Sequence, residues 1–364
     1  MQFGLSESQQ ILQTNARKFF AAECPISETR RIIEAGAGFD GALWGKLAAQ
    51  GYTGAIFPEE YGGLGLGIVE LALLFEEMGR ALIPGPFLPT VVAGLFLDAA
   101  GSDQQKEKFL RPICEGSAKA CIGGCEPNAA YDCKRIEMRG DGAISGTKLF
   151  VAGANVADFF VALTKNGAFV ARAGDRVRIA PMHGLDITRP LYSVEFDNAP
   201  AERLPYPERL SRAVDIGTLA VAAETVGGMQ RVLDIAVEYA KTRKQFGQPI
   251  GKYQAVQHMC ADSYLETESG RSAVYYAAWA LQESAPDAVS AVSIAKMYVS
   301  DASRSVGNRG IQIHGGMGFT WENDVHLYYR RFKSNETTFG DATYHRERIA
   351  SLVIDAGRAG HARA

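Results

Sequence analysis

Two runs in the last third of the chain contain residue types suited to holding a phosphate-bearing ligand. The run RKQFGQPI begins at Arg243, whose planar guanidinium presents paired donors that match a pyrophosphate. The run QIHGGMGF contains Gly315 and Gly316, where the missing side chains let the backbone approach a ligand closely. Each run alone is more typical of a helix C-terminus, with a surface arginine in the first. Together the two runs favour cofactor binding.

Histidines and cysteines could supply a base or a metal site. His314 could act as a base, but its place inside the Gly-rich turn favours a structural role beside a ligand. Four of the six cysteines lie between Cys114 and Cys133, in the pattern C-x6-C-x3-C-x7-C without an intervening histidine. Structural zinc sites use paired knuckles of closer spacing, so we expect no metal. The cysteines are then reduced thiols of a cytoplasmic protein.

Composition excludes several functional classes. Thirty-eight Lys and Arg residues against 41 Asp and Glu give a net charge of −3, which argues against a nucleic-acid partner. The longest apolar stretch, near residues 90–97, is far shorter than the ~20 residues of a membrane span. The first ten residues show neither the basic nor the apolar region of a secretory signal. We therefore expect a cytoplasmic location and no membrane span.

The periodicity of apolar residues predicts an α+β multidomain protein with three parts. Residues 1–117 are predicted to form an N-terminal helical domain, in which Ser6 and Gln9 form a capping box. Residues 118–206 are predicted to form a middle antiparallel β domain, and residues 207–364 a C-terminal helical bundle. Asp-Gly at 141–142 and Asn-Gly at 166–167 are hairpin signals. Alternation of apolar and polar residues predicts strands over 135–138, 143–151, 159–164, 168–171 and 177–180.

This order of elements and motifs resembles the acyl-CoA dehydrogenase family almost from end to end. PEEYGG at 58–63 and the Glu126-Pro127 loop precede the two C-terminal runs, as they do in that family. The resemblance implies FAD as the cofactor and the acyl-CoA dehydrogenase fold. In such proteins the two C-terminal runs reach across a dimer interface to a flavin whose ring lies on the neighbouring subunit. The FAD contacts implied in this way are Arg243, Phe246, Gln254, Gln312, Gly315 and Gly316.

The chain departs from the family where the catalytic base should be. The family's reaction removes a proton from the α-carbon of an acyl thioester, while a hydride passes from the β-carbon to the flavin. Most members use a glutamate immediately before a glycine, and the matching residue here is Phe339. A minority use a glutamate on an earlier helix, and the matching residue is Gly217. Neither is an acid, so Glu336 and Asp341 are the weaker candidates for a relocated base.

The positions implied to hold the chain's own flavin ring have also changed. Cys125 stands where the family usually has a threonine, and Phe150 and Ala152 stand where it has Trp-Ile-Thr around Val151. The residues implied to hold a neighbour's flavin are kept. This asymmetry resembles the small, base-less subunit of heteromeric family members such as pimeloyl-CoA dehydrogenase, in which two different chains share one flavin and one base.

The resemblance therefore implies α,β-desaturation of an acyl-CoA thioester, in fatty acid or steroid side-chain degradation. The implied partners are the acyl-CoA substrate, an acyl-CoA dehydrogenase subunit that carries the missing glutamate, and electron-transferring flavoprotein as the electron acceptor. The implied assembly is a homo- or heterotetramer. Two alternatives stay open: a flavin-dependent monooxygenase of the same fold, which needs no such base, and a non-catalytic structural homologue.

Overall fold

The structure is a computed structural model that describes residues 4–128 and 135–355. Contacts within the chain group it into two units, and the predicted domain boundaries at 117 and 206 stay predictions. The first unit comprises Met1–Ile26, Ile68–Ile83 and Thr218–Ala364, and the second comprises Ser27–Gly67 and Pro84–Gly217. Across the described ranges, we find no helix that combines the length and the apolar character needed to cross a bilayer.

Helices make up most of the first unit and also contribute to the second. In chain order they are α1 (Glu7–Glu23), α2 (Ile26–Glu34), α3 (Gly41–Ala49), α4 (Ile68–Ala81), α5 (Phe87–Ala100), α6 (Asp103–Gln105), α7 (Arg111–Cys114), α8 (Leu210–Thr242), α9 (Gln254–Gln282), α10 (Ala288–His314), α11 (Val325–Thr337) and α12 (Ala342–Ala350). The predicted capping box at Ser6 is confirmed, because its hydroxyl accepts from the backbone of Gln9 and the Gln9 side chain accepts in return.

The first unit is a helical bundle in which α10 packs against α9, α11 and α12, and α1 packs against α4. Helices α4 and α8 cross with their backbones in contact. A Cβ atom added at Gly227 would lie 1.7 Å from the carbonyl oxygen of Glu76, and one added at Gly79 would lie 1.8 Å from that of Glu224. Only glycine fits at positions 79 and 227. Helix α8 continues without a break through the glycine pair at 227–228.

The second unit is built on a six-stranded sheet in the order β1-β3-β4-β6-β2, with β5 beside β6. The strands are β1 (Ala120–Gly123), β2 (Ala143–Ala152), β3 (Phe159–Thr164), β4 (Gly167–Arg172), β5 (Val177–Met182) and β6 (Leu191–Arg203). A separate hairpin in the first unit consists of β7 (Lys244–Gln245) and β8 (Gln248–Pro249). The sheet is antiparallel except at its edge, where β1 pairs with β3 in parallel. Its inner face buries Phe160, Phe169 and Val194.

One predicted strand, over 135–138, is wrong. The backbone N–H groups of Glu137 and Met138 donate to the carboxylate of Glu126, at 2.7 and 3.1 Å, instead of to a neighbouring strand. Two strands that alternation did not predict are present, β1 and β6. The Asn-Gly hairpin is confirmed, because Thr164 at the end of β3 pairs with Gly167 at the start of β4.

Candidate active site

The residues implied to contact the ADP part of FAD lie in segments that meet at one end of the first unit. There α8 ends, the β7–β8 hairpin follows, α9 begins and α10 ends. A small core joins these segments: Ala236, Ala240 and Ile313 are buried, with Tyr239, Ile250, Val256, Met259 and Cys260 packed against them. Residues 243, 254 and 312 are therefore held on segments of fixed relative position, and their side chains are exposed.

The hairpin that carries Arg243 has a sharp turn at Phe246 and Gly247, where φ is +51° and +80°. The Phe246 ring is 94% exposed, with its nearest aromatic neighbour, Tyr253, edge-on at 6.4 Å between centroids. The Tyr253 hydroxyl donates to the carbonyl of Gln245 at 3.1 Å, and the Ile250 amide donates to the carbonyl of Arg243 at 2.8 Å. The hairpin is thus ordered while its apolar tip is left uncovered in this chain.

The Gly-rich turn after α10 is anchored by the buried side chain of His314, which directly precedes it. This ring is buried, stacks on Tyr239 with 4.3 Å between centroids, and places Nδ1 2.7 Å from the carbonyl of Gly310. Burial lowers the pKa of His314, so the ring is neutral near pH 7. Gly315 has φ of +60°, and a Cβ at Gly315 or Gly316 would meet nothing within 4 Å. The backbone of this turn is therefore open to a ligand.

The turn between α11 and α12 contains the two residues that match the family's Glu-Gly pair. Phe339 has φ of +59° and Gly340 has φ of +99°. The carboxylate of Asp341 caps α12 by accepting from the Tyr344 amide at 2.8 Å. Glu336 forms ion pairs with Arg304 and with Lys333, the latter at 2.5 Å.

Both acids are therefore engaged. Burial raises the pKa of Glu336, but its hydrogen bonds from Lys333 and Arg304 outweigh burial and leave that pKa below its ordinary value. A carboxylate stabilised in this way is a weaker proton acceptor. Gly217, the other position of the base, is buried in α8.

A buried polar network fixes α11 against α8 and so fixes the start of this turn. Arg331 pairs with Glu224 at 2.9 Å, and the side-chain amide of Asn335 donates to the same carboxylate at 2.9 Å. Asn335 also donates to the hydroxyl of Thr225 at 3.0 Å. Sequence reasoning missed this network. The sequence gives only a weak signal for such a network, because a charged residue on a helix is normally exposed.

In the second unit, Cys125 lies opposite Leu149 on β2, whose amide donates to the Cys125 carbonyl at 2.9 Å. Phe150 has φ of +56° within a register shift of β2 and is 56% exposed. The carbonyl of Ala152 accepts from the Cys121 thiol at 2.9 Å. The structure thus brings the three predicted flavin-side positions onto β2 and the segment beside it.

The Glu126-Pro127 loop is anchored by a buried ion pair. The Glu126 carboxylate lies 2.7 Å from Nζ of Lys148, and the two side chains are 6% and 0% exposed. Burial raises the pKa of Glu126, but the hydrogen bonds from Lys148 and from the Glu137 amide bring it below its ordinary value. Burial raises the pKa of the neighbouring Cys125, so that side chain is a neutral thiol and a weak donor.

No trio of histidine, cysteine, aspartate or glutamate side chains within residues 4–128 and 135–355 is arranged to hold a metal ion. Among the described residues, five cysteines are present and none of them forms a disulfide, namely Cys24, Cys114, Cys121, Cys125 and Cys260. Cys133 lies outside the described residues.

Comparisons with known proteins agree with this architecture. The family model "Acyl-CoA dehydrogenase, N-terminal domain" matches residues 6–117, and "Acyl-CoA dehydrogenase, C-terminal domain" matches residues 208–354. Acyl-CoA dehydrogenase IpdE2 of Mycolicibacterium smegmatis is 30% identical over 360 residues, which cover 96% of this chain and all of that protein.

Two similar solved structures have two-chain names. The Tcur3481-Tcur3483 steroid ACAD variant has a TM-score of 0.89 and 29% identity, and the match covers 97% of this chain and 99% of that one. The ChsE4-ChsE5 complex of Mycobacterium tuberculosis has a TM-score of 0.89 and 26% identity, with the same coverage. The homologues are oxidoreductases that act on CH–CH bonds, and this chain belongs to the acyl-CoA dehydrogenase family.

Proposed function

We propose that this chain is the subunit of a heteromeric FAD-dependent acyl-CoA dehydrogenase that lacks the catalytic glutamate. The observation that carries the proposal is the residue at position 339. A phenylalanine stands on an ordered turn where the family resemblance puts the base, and a phenyl ring cannot accept a proton. The nearest carboxylates, Glu336 and Asp341, are occupied by ion pairs and by a helix cap.

The residues at the end of the first unit fit the ADP half of FAD. Arg243, Gln254 and Gln312 have exposed polar side chains, and the backbone at Gly315–Gly316 is open. A guanidinium and open amides are the donors that a pyrophosphate prefers. FAD, when bound, supplies the acceptor for the hydride that leaves the acyl chain. In this proposal the guanidinium of Arg243 would neutralise the pyrophosphate, and the exposed ring of Phe246 would pack against the nucleotide.

The second unit fits a flavin ring less well. Ala152 has no hydroxyl, and the Cys125 thiol lies 3.6 Å from the carbonyl of Glu126 as a weak donor. We infer that this chain holds the ADP part of a flavin whose ring lies on the partner subunit. The partner then supplies both the ring site and the base, which removes the α-proton of the acyl-CoA thioester.

The assembly and substrate class follow from the same proposal. The two-chain names of similar structures support a heteromer, with a heterotetramer as the expected form, and one of those structures is named as a steroid enzyme. We propose an acyl-CoA thioester as substrate, with a fatty or steroid side chain, and electron-transferring flavoprotein as the electron acceptor.

The test is the FAD content of the chain purified alone, and then with an acyl-CoA dehydrogenase partner that carries the glutamate. We expect little FAD and no acyl-CoA turnover from the chain alone, and one FAD per pair with turnover from the complex. About one FAD per chain with turnover in the absence of a partner would refute the base-less subunit. Reduced-flavin-dependent oxygenation of an aromatic substrate would favour a monooxygenase instead.

The ADP contact is tested by Arg243→Ala in the complex, with Lys244→Ala on the same hairpin as the matched control. A charge-assisted hydrogen bond contributes about 1.5–3 kcal/mol, so the dissociation constant for FAD should rise roughly tenfold to a hundredfold. The Lys244 variant should bind FAD nearly as the unmodified complex does. If the Arg243 variant also binds FAD as tightly as the unmodified complex does, Arg243 does not contact the cofactor.

A further inference from the structure

A buried lysine on α10 serves the turn that carries Phe339. Lys296 is 1% exposed, and its ammonium group donates to three backbone carbonyls around the end of α11: those of Asn335, Glu336 and Gly340, at 3.0, 3.0 and 2.9 Å. The hydroxyl of Ser300 lies 3.1 Å from the same nitrogen. A lysine is seldom buried without a carboxylate in contact. Lys296 instead donates its hydrogen bonds to the backbone of the turn.

A histidine on α12 holds a carbonyl of the turn that the lysine does not reach, that of Phe339. His345 is fully buried, and its Nε2 lies 3.0 Å from the carbonyl of Phe339. Nε2 must carry the proton to donate this bond. Burial and the charge of Lys296 lower the pKa of His345 to about 4, so the ring is neutral at physiological pH.

Between them, the two side chains hydrogen-bond to carbonyls that precede and follow the Cα of a strained residue. Phe339 has φ of +59°, which side chains other than glycine rarely adopt. Such conformations persist only where the surroundings hold them. Asp341 adds a third restraint by capping α12 directly after the turn.

We propose that Lys296 and His345 are positioning residues that clamp this turn, so that side chain 339 keeps a fixed place at the base position of the acyl-CoA dehydrogenase site. The clamp itself rests on contacts within the first unit, while the identification of position 339 as a vacant base position rests on the proposed function.

The clamp has a pH signature. Burial lowers the pKa of Lys296 to about 7, against the attraction of Glu336 and Asp341. Two further ionisable groups lie near it: His345, which is neutral at physiological pH, and Arg348, whose charge acts on His345. Opening the turn lets water reach Lys296 and restores its ordinary affinity for a proton. Opening therefore takes up a proton above pH 7 and becomes rarer as the pH rises.

Hydrogen exchange of the full-length protein tests the clamp in a peptide covering residues 335–344. Between pH 7 and pH 9, protection corrected for the intrinsic rate should rise by up to about tenfold per pH unit. Lys296→Met should lower protection on the order of tenfold or more, the effect of lost buried hydrogen bonds, and abolish the pH dependence. Lys333→Met, which removes only a bond to the Glu336 side chain, is the matched control.

His345 gives a second, milder test should Lys296→Met fail to fold. His345→Gln retains an N–H donor and should keep most of the protection, whereas His345→Leu should lose it. The proposal is overturned if Lys296→Met or His345→Leu exchanges like the unmodified protein, or if the pH dependence is absent.

The fate of the complex separates the clamp from the proposed function. A chain that shows the exchange signature but never assembles an FAD-containing complex with a base-bearing partner would refute the proposed function and leave the clamp standing.

Discussion

The Glu126–Lys148 pair offers a quantitative test of how the segment carrying Cys125 is held. Lys148→Met removes the ammonium but keeps most of the apolar stem, and it leaves the Glu126 carboxylate buried without its charged partner. Removing one member of a buried ion pair costs about 3–5 kcal/mol. The backbone donors of Glu137 and Met138 remain, so we expect the lower end of that range.

Because the protein has two units, a local readout is more informative than a single unfolding midpoint. Hydrogen exchange of a peptide covering residues 135–145 reports on the amides that Glu126 binds. A loss of about 3 kcal/mol corresponds to roughly a hundredfold loss of protection, at about 1.4 kcal/mol per tenfold. Peptides from α9 and α10 should be unchanged.

The control is the double variant Glu126→Gln with Lys148→Met. It keeps a neutral acceptor for the two amides and leaves no buried charge, so it should recover most of the lost protection. A change of less than about threefold in Lys148→Met would refute the reasoning. A double variant that is less protected than the single one would refute it as well.

Two further predictions concern the turn between α11 and α12. Neither Glu336→Gln nor Asp341→Asn should reduce acyl-CoA turnover of the assembled complex by more than about threefold, because a general base contributes about 10²–10⁴-fold. A hundredfold loss would identify that carboxylate as the base. His345, with its pKa lowered to about 4 from 6.5, makes the folded protein less stable as pH falls from 6.5 towards 4, since the unfolded chain then binds the extra proton. In thermal unfolding, His345→Gln should therefore lose less stability between pH 7 and pH 5, by up to about 1.4 kcal/mol per pH unit, and an identical loss in both proteins would contradict this.

Much of the local structure was predictable where the signal lies within a few consecutive residues. The capping box at Ser6 and the hairpin at Asn166–Gly167 depend on neighbours in the chain, and both are present. The strand predicted over 135–138 is absent because a side chain from another segment, Glu126, takes its backbone donors. Alternation of polar and apolar residues carries no information about such a competitor.

Part of the candidate site could be predicted from the sequence in the same way. The absence of an acid at Phe339 and Gly217, and the presence of Arg243 with the Gly315–Gly316 pair, are properties of residue type and order. They suffice to indicate the family, and the cofactor contacts and the missing base stay predictions.

Only the tertiary structure decided what surrounds those residues. Glu336 is adjacent in sequence to the turn, but its ion pair with Arg304 joins two different helices and is visible only in the folded structure. Lys296 precedes the turn by about forty residues and looks like any helical lysine in the sequence, yet it is buried against the carbonyls of Asn335 and Gly340. A sequence determines which groups are available through local and short-range rules. Whether a charged group is desolvated, and which partner then satisfies it, depends on contacts between distant segments that exist only after folding.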